Sequence, residues 1–199
     1  MKLVKRYVGK DVNSFLFFEN KIIFFLYIIN ERLIIIKKKY LLGVVFIFVL
    51  GSFLHFTYEL TNGNFIVGLF SAQNESVFEH TKLLLLPIFL WYILTYNYTK
   101  ISINKEKYFT SMLISLLTGI VLIPLIYYFV TKGLNIENAI INISIFFVSA
   151  LFGQLLAYHY YKYGKCEFSQ FIIIFISVIL IGIYIYFSVY PGILPIFIV

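Results

Sequence analysis

The chain has 199 residues, of which 61% are hydrophobic and only 13% charged, with a mean hydropathy of +0.93 and a net charge of +7. A soluble domain carries about 25% charged residues, so this composition excludes a water-soluble globule and implies an all-α, polytopic transmembrane helical bundle. The basic excess sits as lysines at the ends of apolar runs, with no aromatic-basic array or Gly-rich loop beside it. It therefore points to the lipid bilayer and not to nucleic acid.

Residues 1–39 form the one segment that does not resemble a clear span. Met1 to Asn20 mixes Lys, Arg, Asp and Asn with Phe and lacks the basic start, apolar run and small-residue cleavage site of a secretory signal. Lys21 to Ile36 is apolar but broken by Asn30-Glu31-Arg32. A charge at mid-helix costs about 2.5–3.5 kcal/mol on insertion, and each Ile, Leu or Phe returns only about 0.3–0.6 kcal/mol. The segment is expected to lie as an interfacial helix on the cytoplasmic surface, with a short extra span as the alternative.

Lys37-Lys38-Lys39 precede the first clear span, residues 41–60. A polar loop from Thr61 to Gln73, with Asn62-Gly63-Asn64 as its turn signal, leads to a second span over 77–98. Pro87 removes a backbone donor there and is expected to kink the helix. The third span covers 109–130 and contains Pro124, and the fourth covers 138–158. His159 to Ser169 carries Lys162 and Lys165, and the fifth span covers 170–190, closed by Pro191-Gly192. The five-span domain is thus residues 40–199. Lys37, Lys38, Lys39, Lys100, Lys105, Lys107, Lys162 and Lys165 fall on one side, against Lys132 and Lys82 on the other. The positive-inside rule then predicts a multi-pass protein of the cell membrane, with a cytoplasmic N-terminus and a C-terminus at the outer face.

Many of the 17 Tyr and 23 Phe lie at span ends and are expected to form an interfacial belt. Lys82 fits a residue snorkelling toward the headgroups. Asn142, Ser149 and Gln154, inside the fourth span, fit interhelical hydrogen-bond partners. The single cysteine, Cys166, excludes an internal disulfide and a multi-cysteine zinc site.

Polar residues gather at the outer face. Ser52, His55 and Glu59 are spaced to share one face of the first span. The second span opens with Asn74, Glu75, Ser76, Glu79 and His80, in which Glu75/Glu79 and Ser76/His80 are i,i+4 pairs. Ser76-Val77-Phe78-Glu79 also fits an S-x-x-E capping box, with Asn74 an alternative cap. Capping does not account for His55, Glu59 and His80, because ionisable residues within spans usually face a bundle interior or a cavity. Two histidines and a carboxylate, with one open position, make a catalytic zinc arrangement. His55, His80 and either Glu59 or Glu75 are the candidate ligands and Glu79 the candidate general base. The H-E-x-x-H motif is absent.

Gly51-Ser52-Phe53-Leu54-His55, then Asn74-Glu75-Ser76-Val77-Phe78-Glu79-His80-x-Lys82, then Pro87, resemble an uncharacterised family of small bacterial polytopic membrane proteins. Its hallmark is an N-E-S-V-W-E-H-x-K box, and Phe78 stands here in place of the Trp. Phe187-Ser188-Val189-Tyr190-Pro191-Gly192-Ile193-Leu194-Pro195-Ile196-Phe197 is similar to that family's aromatic, proline-rich closing motif. The family pattern has two adjacent prolines where this chain has Pro191-Gly192, and acidic residues beyond the final Phe that are missing here. The likeness covers about residues 38–199 and implies the fold and the weight of the box, not a reaction.

Three function classes follow: a membrane protein binding a ligand or partner at its outer-face His/Glu cluster, a metal-dependent hydrolase at the outer leaflet, and a small transporter or channel subunit. The third is weakened by the lack of an ionisable residue at mid-bilayer in spans two to five.

Overall fold

The structure is a computed structural model and describes residues 34–99 and 103–198. Contacts divide the chain into Met1–Lys38 and Lys39–Val199, and the bundle below is the second unit. Apart from Ile34–Lys39, the expected interfacial helix lies outside the described residues. Lys37, Lys38 and Lys39 lie within the helix that continues into the expected first span.

Five helical segments are long and apolar enough to cross a membrane, and no strand occurs among the described residues. Helix α1 runs Ile34–Leu60. A short α2 (Phe65–Gly68) follows, then α3 (Val77–Lys82) and α4 (Leu85–Thr99), which together make the second segment. Helix α5 is Lys105–Tyr128, continued by a π-helical turn over Phe129–Gly133. Helix α6 is Ala139–Tyr163 and α7 is Gln170–Val189, with a 3-10 turn at Pro195–Phe197.

The division between α3 and α4 has a simple cause. Pro87 has no N–H for the carbonyl of Leu83, four residues earlier, and its ring crowds that carbonyl. The helix is interrupted at Leu83–Leu84, so the break falls N-terminal to the proline. Pro124, by contrast, lies within an unbroken stretch of α5.

Burial explains the order of hydropathies. The second segment is 61% buried and has the lowest mean hydropathy, 1.5; α7 is 17% buried and has the highest, 2.7. A helix shielded by its neighbours can carry polar groups, whereas one facing lipid cannot. Glycines let the helices approach closely. A Cβ on Gly153 of α6 would come within 2.8 Å of the Ser115 carbonyl of α5, and one on Gly43 within 2.6 Å of Trp91.

The polar residues of α6 divide. Gln154 Nε2 donates to Ser115 Oγ at 2.9 Å, as an interhelical bond, whereas Ser149 Oγ and Asn142 Oδ1 are buried without a partner. Not all aromatics form a belt either. Tyr40, Tyr92 and Tyr108 are under 4% exposed and pack on one another, with Tyr40 Oη bonded to Ser111 Oγ at 2.7 Å. This cluster lies where α1 and α5 begin. The His/Glu cluster lies at the opposite end, where α1 ends and α3 and α6 begin.

Candidate metal centre

The segment between α1 and α3 is an anchored strap rather than a plain polar loop. Helix α1 ends through Asn62 (φ 54°) and Gly63 (φ 74°), left-handed positions that suit Asn and Gly. Asn64 then caps the four-residue α2. Ser71, fully buried, sets its hydroxyl inside the α1 ladder: it donates to the Leu54 carbonyl and accepts from Tyr58 N–H at 3.0 Å and Thr57 Oγ1 at 2.9 Å. The strap is therefore tied to α1 beside His55.

Two further bonds shape the start of α3. Asn74 Oδ1 accepts from Ser76 N–H at 2.9 Å, and Ser76 Oγ caps α3 by accepting from Glu79 N–H at 3.4 Å. Only half of the capping box forms. The Glu79 carboxylate does not return to Ser76; it accepts from Gln73 N–H at 2.8 Å and pairs with Lys82 Nζ at 2.5 Å.

With the ends so fixed, His55, Glu75 and His80 converge. His55 Nε2 lies 3.3 Å from His80 Nε2, and each of these atoms lies 3.5 Å from Glu75 Oε2. The two 3.5 Å separations exceed the about 2.7–3.2 Å of ordinary N–H···O bonds, while the 3.3 Å between the two Nε2 atoms is within reach of a hydrogen bond. All three match a coordination polyhedron: the edge of a tetrahedron with zinc–ligand bonds of about 2.0–2.1 Å is about 3.3–3.4 Å. His80 Nδ1 is 2.9 Å from the Ser76 carbonyl oxygen. A carbonyl only accepts, so Nδ1 carries the proton and Nε2 of the neutral ring turns its lone pair to the other two ligand atoms. The two rings are partly buried, and the Glu75 side chain is 63% exposed.

The remaining expected residues lie elsewhere. Glu59 is exposed at the end of α1 and is not grouped with the histidines. Glu79 is buried in its pair with Lys82 and does not line the cavity described below. Lys82 is 2% exposed and does not snorkel. Glu79, the Gly68 carbonyl at 2.8 Å and Ser188 Oγ at 3.1 Å supply all its hydrogen-bond partners inside the protein, which removes the need for headgroup contact.

Ser188 belongs to the closing motif, and the box and that motif meet in space. Phe78 stacks on Tyr184 (ring centroids 4.9 Å apart) and packs against Phe197 at 4.8 Å, while Tyr184 Oη donates to Thr81 Oγ1 at 3.0 Å. The C-terminal end of the chain thus braces the helix that carries His80.

A cavity of about 380 Å³ borders all three candidate ligands. Its walls are Phe48, Gly51, Ser52 and Phe56 of α1 with Asn142, Ile143 and Phe146 of α6. Asn142 was legible only as a polar residue in an apolar run, and here its unpartnered Oδ1 belongs to the residue facing the histidines across the cavity. Ser71 gave no signal, because a loop serine resembles any other.

Residues 28–199 match the model described as "Family of unknown function (DUF6512)", and the chain belongs to that family. The match starts upstream of the Lys37–Lys39 run, earlier than the motifs alone suggest. No curated protein and no solved structure matches the chain.

Proposed function

We propose that this member of a family of unknown function is a multi-pass membrane protein that binds a divalent transition metal through His55, Glu75 and His80 and presents it to a ligand. The observation that carries the reading is the near-equilateral triangle of Nε2, Nε2 and Oε2 atoms, with sides of 3.3, 3.5 and 3.5 Å. Two imidazoles and a carboxylate suit zinc, and three protein ligands leave one position for water or a ligand. The Ser76 carbonyl on His80 Nδ1 is the kind of outer contact that orients a metal-binding imidazole.

Metal-dependent hydrolysis is the second reading, favoured by the cavity beside the open position. A zinc held by His55, Glu75 and His80 would lower the pKa of a bound water toward neutrality. Activation of that water would fall to the metal, because the Glu79 carboxylate is occupied by Lys82 and Gln73.

We place this end of the bundle at the outer face of the cell membrane. Lysines support that orientation: Lys105, Lys107, Lys162 and Lys165 gather at the other end, and Lys82 no longer counts against it because its charge is buried and paired.

Metal analysis of the purified chain tests the reading. The parent is expected to hold about one zinc or cobalt per chain, and a His55→Ala/His80→Ala double variant none. A parent without metal under non-chelating conditions overturns the proposal.

A further inference from the structure

We infer that the ligand presented to this centre is an amphiphile drawn sideways from the bilayer, its polar head at the metal and Asn142 and its chain between α1 and α6. The inference rests on the metal reading above. Three features of the cavity support it.

The first is depth. Helix α1 is 27 residues long, about 40 Å at 1.5 Å per residue. A bilayer is about 30 Å thick in its hydrocarbon and about 40–45 Å with its headgroups. His55 precedes the helix end by about 7 Å. It therefore lies at the level where headgroups give way to chains, and there the linkage between a lipid's head and its tails is found.

The second is the character of the walls. Phe56 and Ile143 line the cavity and are 57% and 56% exposed, so the opening between α1 and α6 is apolar. Phe48 and Phe146 lie deeper, 6.4 Å apart between ring centroids. Gly51 lets the Phe146 ring pack directly against α1 and close the floor, since a Cβ there would sit 2.4 Å from Phe146 Cζ. A polar head can also enter past Glu75, whose side chain is 63% exposed, whereas the apolar opening between α1 and α6 fits a chain already in the membrane.

The third is the unpartnered acceptor. Asn142 lines the cavity, and its Oδ1 has no hydrogen-bond partner but is closed off from that space, so the amide must turn for a ligand to meet it. A buried acceptor is costly unless a donor meets it. A head bearing both a metal-binding oxygen and an N–H or O–H would satisfy the metal and, once the amide turns, Asn142 together.

Two hydroxamates serve as probes, because both carry the same oxygens and N–H. The chain is loaded with Co²⁺ in phosphatidylcholine nanodiscs, and the cobalt absorption reports binding of dodecanoyl hydroxamate or of acetohydroxamate. Ile143→Trp, at an exposed position, narrows the mouth without changing the ligands or the partitioning of the probe into lipid. It is expected to weaken the long probe about tenfold, the burial lost for roughly two methylenes, and to leave the short probe within about twofold. Phe56→Trp is an independent second narrowing with the same expected result. Asn142→Leu is expected to weaken both probes with Co²⁺ content unchanged.

Equal effects of the tryptophan variants on both probes, or none on either, in Co²⁺-loaded protein would overturn the amphiphile while leaving the metal centre standing. A parent that takes up no Co²⁺ overturns both. Unchanged affinity in Asn142→Leu overturns the role given to that residue.

Discussion

His80 carries the most constrained chemistry of the site. Its Nδ1 proton is committed to the Ser76 carbonyl, so Nε2 is a lone-pair donor only while the ring is neutral. Protons and metal compete for that atom. Metal occupancy is therefore expected to fall as the pH is lowered from about 8 to about 5. Equilibrium dialysis across that range checks the sign. Occupancy that rises toward acid pH would contradict it.

The neighbouring Glu79–Lys82 pair poses a different question at the same scale. Both side chains are 5% exposed or less, and each has further hydrogen bonds. Removing one partner of a buried pair leaves an uncompensated charge and costs about 3–5 kcal/mol, whereas replacing both with apolar residues is often near neutral. Glu79→Gln alone is thus expected to lower the melting temperature in detergent more than Glu79→Leu combined with Lys82→Met. The reverse order would show that the pair does not carry its charge buried.

At the scale of elements, the short α3 is the piece on which the rest converges. Pro87 detaches it from α4, Ser76 caps it, and Phe78 and Thr81 fasten it to α7 and the closing turn. Phe78 is 7% exposed and fills space between three aromatic rings. Phe78→Ala is expected to cost about 3–5 kcal/mol and to loosen His80 with it. Thermal unfolding together with metal affinity measures both, and a variant of unchanged stability would deny the bracing role. Much of this element was legible beforehand. The S-x-x-E pattern placed its start, and the proline foretold an interruption. The diversion of Glu79 was not legible, because the capping box and the pair with Lys82 both use residues three apart on one helix. Sequence spacing alone does not choose between them.

For the molecule as a whole, apolar runs bounded by lysines made visible the five helices that are long and apolar enough to cross a membrane, since lipid imposes length and hydropathy on any helix that crosses it. Convergence of His55 with His80 followed from a short connection between consecutive spans. Which carboxylate joins them did not. Glu59 and Glu75 both lay within reach on paper, and the choice of Glu75 depends on Ser71 tying the strap to α1, a long-range contact without a local signature. The proposed orientation has its own test in the single cysteine. Cys166 is exposed between α6 and α7, at the end opposite the His/Glu cluster. A membrane-impermeant maleimide is expected to spare it in intact cells and to label it once the membrane is permeabilised. Labelling of intact cells would reverse the topology.

The central claim is that three side chains from two helices and a strap form one metal centre. X-ray absorption at the zinc edge of the purified parent chain measures that most directly. The account predicts nitrogen and oxygen neighbours at about 2.0–2.1 Å with the outer-shell pattern of two imidazoles, lost in the His55→Ala/His80→Ala variant. A zinc spectrum without imidazole scattering, or one unchanged in that variant, would contradict it.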